Sequence, residues 1–143
     1  MIVFRMNSPA YDVFDTMGSF MKGGRWHSAG VRVLYTAQHA SLAVLEQLIH
    51  AGGRRMPPRA ITSIHIPDHL TVESAPWIDF PNSQAYGNLW VLEARSVALR
   101  VPSIAVNKME HNLILNPGHP DFRHIRHDPA QEFVFSPGYF LPA

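Results

Sequence analysis

Cysteine is absent from the 143-residue chain. That removes disulfides, thiolate nucleophiles and Cys-ligated zinc from the chemistries open to it. A surplus of one charge is missing too: 12 Lys and Arg stand against 11 Asp and Glu, for a formal net charge of +1. This balance is no electrostatic footprint for bulk nucleic acid or an anionic membrane, so neither direct nucleic-acid binding nor membrane association is expected. No apolar run approaches the ~18 residues that a membrane-spanning helix needs. The opening MIVFRMNSPAYD lacks the sustained apolar stretch of a secretory signal. These absences lead to the expectation of a soluble, cytoplasmic protein. The phosphate-loop, dinucleotide-fingerprint, zinc-protease and hydrolase-elbow signatures (GxxxxGKS/T, GxGxxG, HExxH, GxSxG) are also missing.

What is present is a chain that can fold. A hydrophobic content of 46% with 16% charged residues is a globular balance, and this length buries a real core as one domain over residues 1–143. Periodicity predicts strands at residues 2–6, 31–35, 60–66, 97–106 and 132–135, with a short apolar run at 113–115. Val31, Val33 and Tyr35 share one strand face. A strong helix is predicted over 37–51, capped by Thr36 and stopped by Gly52-Gly53. A second helix is predicted over 83–95, tolerating Gly87 at a cost of about 1 kcal/mol. Residues 67–83 read as irregular, 116–120 as a turn cluster, and 121–127 as one helical turn. Strands outnumber helices without regular alternation. The fold class is therefore α+β: a mixed, mainly antiparallel β core with a few helices.

Most of the potential chemistry falls between Gly23 and His50. Glu46 lies inside the first strong helix, where its neighbours three and four positions away are Leu42, Ala43, Ile49 and His50. A carboxylate in an apolar setting needs a partner or a purpose. The plainer reading is a Glu at the margin of the apolar stripe, reaching solvent or an Arg. Arg25 follows Gly23-Gly24 and precedes Trp26. Glycines admit a close ligand, and Arg offers a planar fork for phosphate or carboxylate; an exposed turn with Arg25 over Trp26 explains the same residues. Tyr35 ends a strand, where its ring can stack on a planar group or fill the core. Ser103, in VPSIAV, is a hydrogen-bond donor or a strand residue rather than an elbow nucleophile. His111, His119, His124 and His127, with Asp121 and Asp128, raise a metal site, but without Cys or an HExxH spacing no functional metal is expected.

Taken in order, GGRW-H-SAG at 23–30, VLYTAQHASLAVLE at 33–46, VPSIAVN at 101–107 and LILNPGHPDF at 113–122 resemble the RES domain, a family named for Arg, Glu and Ser positions. The resemblance spans nearly the whole chain. His27 stands where Asn is more usual after the Trp. The resemblance implies a fold similar to ADP-ribosyltransferases and the activity of a bacterial toxin from a toxin–antitoxin pair. Such a toxin degrades NAD as its substrate or transfers the ADP-ribose. It implies Arg25 and Glu46 as catalytic residues and Tyr35, Ser103, Trp26 and Gly24 as substrate-binding ones, with no metal. It also implies a helix-turn-helix (Xre-type) antitoxin that covers the site, and leaves room for a homodimer within that complex. Two alternatives stand beside it. One is a ribonuclease-type toxin using His111 or His119 as base and Arg54 or Arg55 on phosphate. The other is a non-catalytic binding module whose interface is FVFSPGYF.

Overall fold

The computed structural model describes residues 1–140. Among these, eight strands form one curled sheet, with helices packed mainly on one face of it. In chain order the elements are β1 (Ile2–Asn7), α1 (Met17–Lys22), β2 (Leu34–Ala37), α2 (Ala40–Ala51), β3 (Arg59–His65) and β4 (Val72–Ser74). They continue with α3 (Asn82–Leu92), β5 (Ala98–Pro102), β6 (His111–Leu115), β7 (Arg126–His127) and β8 (Gln131–Phe133). Short 3-10 turns occupy Ile104–Val106, Pro120–His124 and Pro137–Tyr139. The strand order is β4-β5-β6-β2-β1-β3-β7, with β8 also beside β3. Every pairing is antiparallel except β4 with β5. The expected α+β class, with a mainly antiparallel core and few helices, is the one observed.

The period of two in the strands divides the core. Leu34 pairs with Leu115, and Leu115 with Ala98. These residues, with Val3, Ile64 and Leu113, pack under Val13, Leu70 and Ile125. The opposite face carries Val33, Ile114, Leu99 and Val101, covered by Trp26 and by Trp90 of α3. Tyr35 and Val31 join that cluster, so the alternation read from the sequence holds. Further along this face, Ala37 and Phe4 meet Leu42 and Ala43 of α2. Thus α2 and α3 straddle one stretch of sheet, and the side chains of β2 and β6 emerge between them.

The β1–β2 pairing is short, with Phe4 opposite Ala37, and the Arg5 side chain reinforces it. Its guanidinium donates to the carbonyls of Val13 (2.8 Å), Tyr35 (3.1 Å) and Asp15 (3.4 Å). Burial lowers its pKa to about 10, with Asp15 partly restoring the charge.

Several expectations are corrected. Thr36 is no helix cap: it lies within β2, opposite Leu113, and its hydroxyl donates to the Leu113 carbonyl at 2.8 Å. The pairing with β6 keeps the chain extended through Ala37. Helix α2 therefore starts at Ala40 with His39 before it and no side-chain cap. Gly52 does end the helix in the left-handed region, at φ 59°. The strand expected over 97–106 stops at Pro102, where the chain turns into the 3-10 segment. The irregular 67–83 stretch contributes β4. Gly87 is not merely tolerated: a Cβ there would lie 1.7 Å from the Trp26 carbonyl oxygen, so only Gly lets α3 pass the loop that carries Arg25.

Candidate active site

Glu46 points from α2 toward the sheet. Its Oε1 accepts from the Asn112 side-chain amide at 2.8 Å, and its Oε2 from the Ser103 hydroxyl at 3.4 Å. Neither partner is a cation. Burial pushes the carboxyl pKa up, while the Asn112 bond, the Ser103 bond and His50 pull it back. The group is half-buried. Its charged form is held by dipoles that aim both oxygens and leave the carboxylate electrostatically unspent. Asn112 also donates to the Thr36 carbonyl at 3.2 Å, tying the carboxylate's orientation to β2. Ser103 is 1% exposed and sits at the β5 terminus, its backbone N–H bonded to Glu110.

The loop at 23–28 forms the second wall. Gly23 has φ 69°, and a Cβ on it would meet the Ala29 nitrogen at 2.8 Å. A Cβ on Gly24 would sit 2.9 Å from the Tyr35 hydroxyl, so both glycines answer to close approach. Helix α3 holds the loop through its main chain. Gln84 donates to the carbonyls of Gly24 (3.0 Å) and His27 (2.9 Å), and Ser83 to that of Arg25 (2.7 Å). Asn88 accepts from the Ser28 N–H (2.9 Å) and donates to the Ser28 hydroxyl (2.7 Å).

His27 and Tyr35 join the two walls. The Ser19 carbonyl can only accept, so His27 Nε2, 2.8 Å away, carries the proton. Nδ1 then accepts from the Tyr35 hydroxyl at 2.7 Å, and that hydroxyl in turn accepts from the Trp26 N–H at 3.2 Å. Burial lowers the pKa of His27, opposed by the Ser19 bond, which keeps the ring in the neutral form this pattern needs. Burial likewise raises the Tyr35 phenol to about 12, against the Trp26 bond and the Arg25 charge. The Tyr35 hydroxyl is therefore a neutral strut.

The remaining sequence-nominated residues are distributed as follows. Trp26 is 2% exposed and its ring lies in the core beside Trp90, so its own ring holds the loop rather than facing a ligand. The Arg25 guanidinium lies 4.8 Å from the centroid of the Trp77 ring and makes no ion pair or side-chain hydrogen bond among the described residues. Lys108 Nζ lies 4.6 Å from the same ring, and the Lys108 N–H donates to the Ser103 carbonyl at 2.7 Å. Asn107 and Lys108 both have positive φ, 54° and 66°, a backbone cost on the order of 1 kcal/mol each. Glu46 and Ser103 are thus in direct contact, as are Gly24, Trp26 and Tyr35. The two groups adjoin across the sheet: Tyr35 is opposite Ile114, and Ala37 opposite Asn112. Arg25 does not bond Glu46.

Sequence reasoning passed over Asn112, Gln84, Trp77 and Lys108. Asn112 carried a signal: a polar residue on the same strand face as Ile114, directly before the apolar run 113–115. The histidines do not gather. His111 lies 3.4 Å from Arg100 and its pKa is lowered by burial and that charge. His119 accepts from the Asp121 N–H. Neither bonds Arg54 or Arg55, and among the described residues no three metal-ligating side chains converge. The Phe133–Phe140 segment packs on itself, with Phe135 at 5.0 Å from Phe133 and buried. An apolar groove of about 600 Å³ between α2 and residues 128–139 and a more polar one of about 450 Å³ beside His65 and Arg126 are lined by none of Arg25, Tyr35, Glu46 or Ser103.

Comparison with known proteins adds the following. The family model described as RES domain matches residues 2–136. A protein named "Prs ADP-ribosylating toxin" from Sphingobium sp. (strain YBL2) is 30% identical, over 89% of this chain and 88% of the relative. A "Toxin Res" from Photorhabdus laumondii is 34% identical, over 85% of each. Among solved structures, a chain of the M. tuberculosis MbcT-MbcA toxin-antitoxin complex superposes with a TM-score of 0.78 at 14% identity. It covers 93% of this chain and 84% of that one, which is a likeness of fold.

Proposed function

The chain belongs to the RES domain family, and on that premise we propose that it is a toxin-type enzyme. It cleaves NAD at the nicotinamide–ribose bond, as a glycohydrolase or phosphorylase, or it transfers the ADP-ribose to a protein acceptor. The observation that carries this reading is the Glu46 carboxylate, half-buried and aimed by Asn112 and Ser103, with no ion pair to it among the described residues. When the C–N bond breaks, its electron pair leaves with neutral nicotinamide and the ribose carbon gains positive charge. A fixed, unspent carboxylate stabilises that charge most where it develops. An oxygen of water, phosphate or a protein side chain then bonds to the carbon and sheds its proton.

The other residues supply binding. Arg25 makes no ion pair among the described residues, and its fork suits the pyrophosphate. The Tyr35 ring, its hydroxyl already used, offers an edge to the sugar or nicotinamide. Gly24 permits the close approach, while Trp26 braces the loop from the core side. No metal enters the reaction.

The partner is a helix-turn-helix antitoxin of Xre type, acting by occlusion of the Arg25 region, and the complex accommodates a dimer of the toxin. The workplace is the cytoplasm, where NAD is plentiful. The name of the ADP-ribosylating relative and the fold shared with a toxin-antitoxin complex support this reading. The test is NAD depletion by purified, partner-free protein, with and without phosphate and with protein acceptors. NAD loss is expected in at least one condition; NAD undiminished in all of them sinks the reading. Full activity in a saturated antitoxin complex would remove the occlusion mechanism.

A further inference from the structure

Trp77 carries two cations. Arg25 lies 4.8 Å and Lys108 4.6 Å from its ring centroid. An indole attracts a cation, yet drawing two to one ring sets like charges against each other. No carboxylate relieves them among the described residues. Asp79 accepts from the Trp77 N–H at 3.0 Å and makes no ion pair with either. Lys108 reaches the ring through the left-handed backbone at Asn107 and Lys108, a conformation that persists where surroundings or function demand it. Its N–H is bonded to Ser103, and Ser103 to Glu46. The backbone that carries Lys108 is thus joined to the candidate carboxylate through Ser103 by two successive hydrogen bonds.

We propose that Trp77, Arg25 and Lys108 form a two-cation clamp for the pyrophosphate of the dinucleotide. Lys108 is the second phosphate ligand, and Trp77 positions both cations. The proposal rests on the reading of the site as NAD-cleaving. Its chemistry is direct: a pyrophosphate brings two adjacent negative charges, one for a bidentate guanidinium and one for a point-charge ammonium. A ligand with one phosphate needs only one of them.

The test uses the full chain as wild type, Lys108→Met, Lys108→Arg and Trp77→Leu, each checked by thermal unfolding. KM and kcat for NAD are measured separately, and binding of ADP-ribose, ADP and AMP by calorimetry. Lys108→Met is expected to raise KM at least about tenfold with kcat within about twofold, since a charged hydrogen bond to phosphate is lost. It should weaken ADP-ribose and ADP similarly and leave AMP unchanged. Lys108→Arg should recover most of the loss, and Trp77→Leu should weaken ADP-ribose further. If Lys108→Met leaves KM and ADP-ribose affinity within about twofold of wild type while NAD is still cleaved, the clamp is overturned and the NAD reading survives. If wild type cleaves no NAD but binds ADP-ribose and loses it in Lys108→Met, the clamp stands and the NAD reading falls. Absence of any ADP-ribose binding by wild type overturns the clamp too.

Discussion

Replacing Glu46 by Gln should separate folding from catalysis. The variant keeps the length of the side chain, and its carbonyl can still accept from Asn112, which lies 2.8 Å from Oε1. Only the charge is lost. Because burial raises the Glu46 pKa in the folded protein, the folded chain binds more protons than the unfolded one between the ordinary and the raised value. Stability therefore falls as pH rises through that window, and the ionised group is a net cost at neutral pH. Removing it should leave the unfolding midpoint at pH 7 equal to wild type or higher. Catalysis should move the other way. A unit charge ~4 Å from a developing cation is worth about 4 kcal/mol at an effective dielectric of ~20. With each ~1.36 kcal/mol a factor of ten, the rate should drop about a thousandfold. The assay pairs initial rates of NAD loss at saturating NAD with scanning calorimetry. A variant keeping more than about a tenth of the activity, or one unfolding many degrees lower, refutes the argument.

Asn112→Ala should shift the acid limb of the kcat/KM profile to higher pH. The bond it removes favours the ionised carboxylate, and the 3.4 Å contact from Ser103 is too long to replace it; a limb that stays in place would show that Asn112 does not tune Glu46. Gly87→Ala should cost about 3 kcal/mol, the upper range for overpacking, because its Cβ would overlap the Trp26 carbonyl. Calorimetry should then show a fall of about 10 °C, and an unchanged midpoint would mean that α3 shifts freely. His27 makes stability depend on pH: with its folded pKa lowered, the unfolded chain takes up the proton first, and stability falls as pH drops below about 6.5. Comparing midpoints at pH 7 and 5.5, His27→Gln should lose less than wild type does, and an equal loss in both would place the effect on other histidines.

Local pattern made much of the fold legible. Helix α2, its Gly52 stop, β1 and the alternating face of Val31, Val33 and Tyr35 all follow from spacing within a few residues. Thr36 misled because its environment is set by Leu113, far along the chain, and pairing with β6 overrode a good capping residue. The same distance hid half of the site. Glu46 and Arg25 are conspicuous beside their neighbours in sequence, but the groups they lie against, Asn112 and Trp77, come from a strand and a loop many residues later. Gly87 read as a weak helix residue because a helix alone cannot reveal the backbone that crosses it. The family resemblance supplied Ser103, which no local motif distinguishes.

The grip of α3 on the 23–28 loop has a consequence for change. Ser83, Gln84 and Asn88 bind mostly carbonyl and amide groups that every residue possesses, so the loop's path does not depend on what Arg25 displays. The position behaves as an exchangeable tip on a fixed handle. On the proposed role of Arg25, substitutions at residue 25 should alter what the protein holds while sparing how it folds, making this the place to redirect ligand choice by selection. Substitutions of Ser83, Gln84 or Asn88 on α3 should instead displace the loop itself.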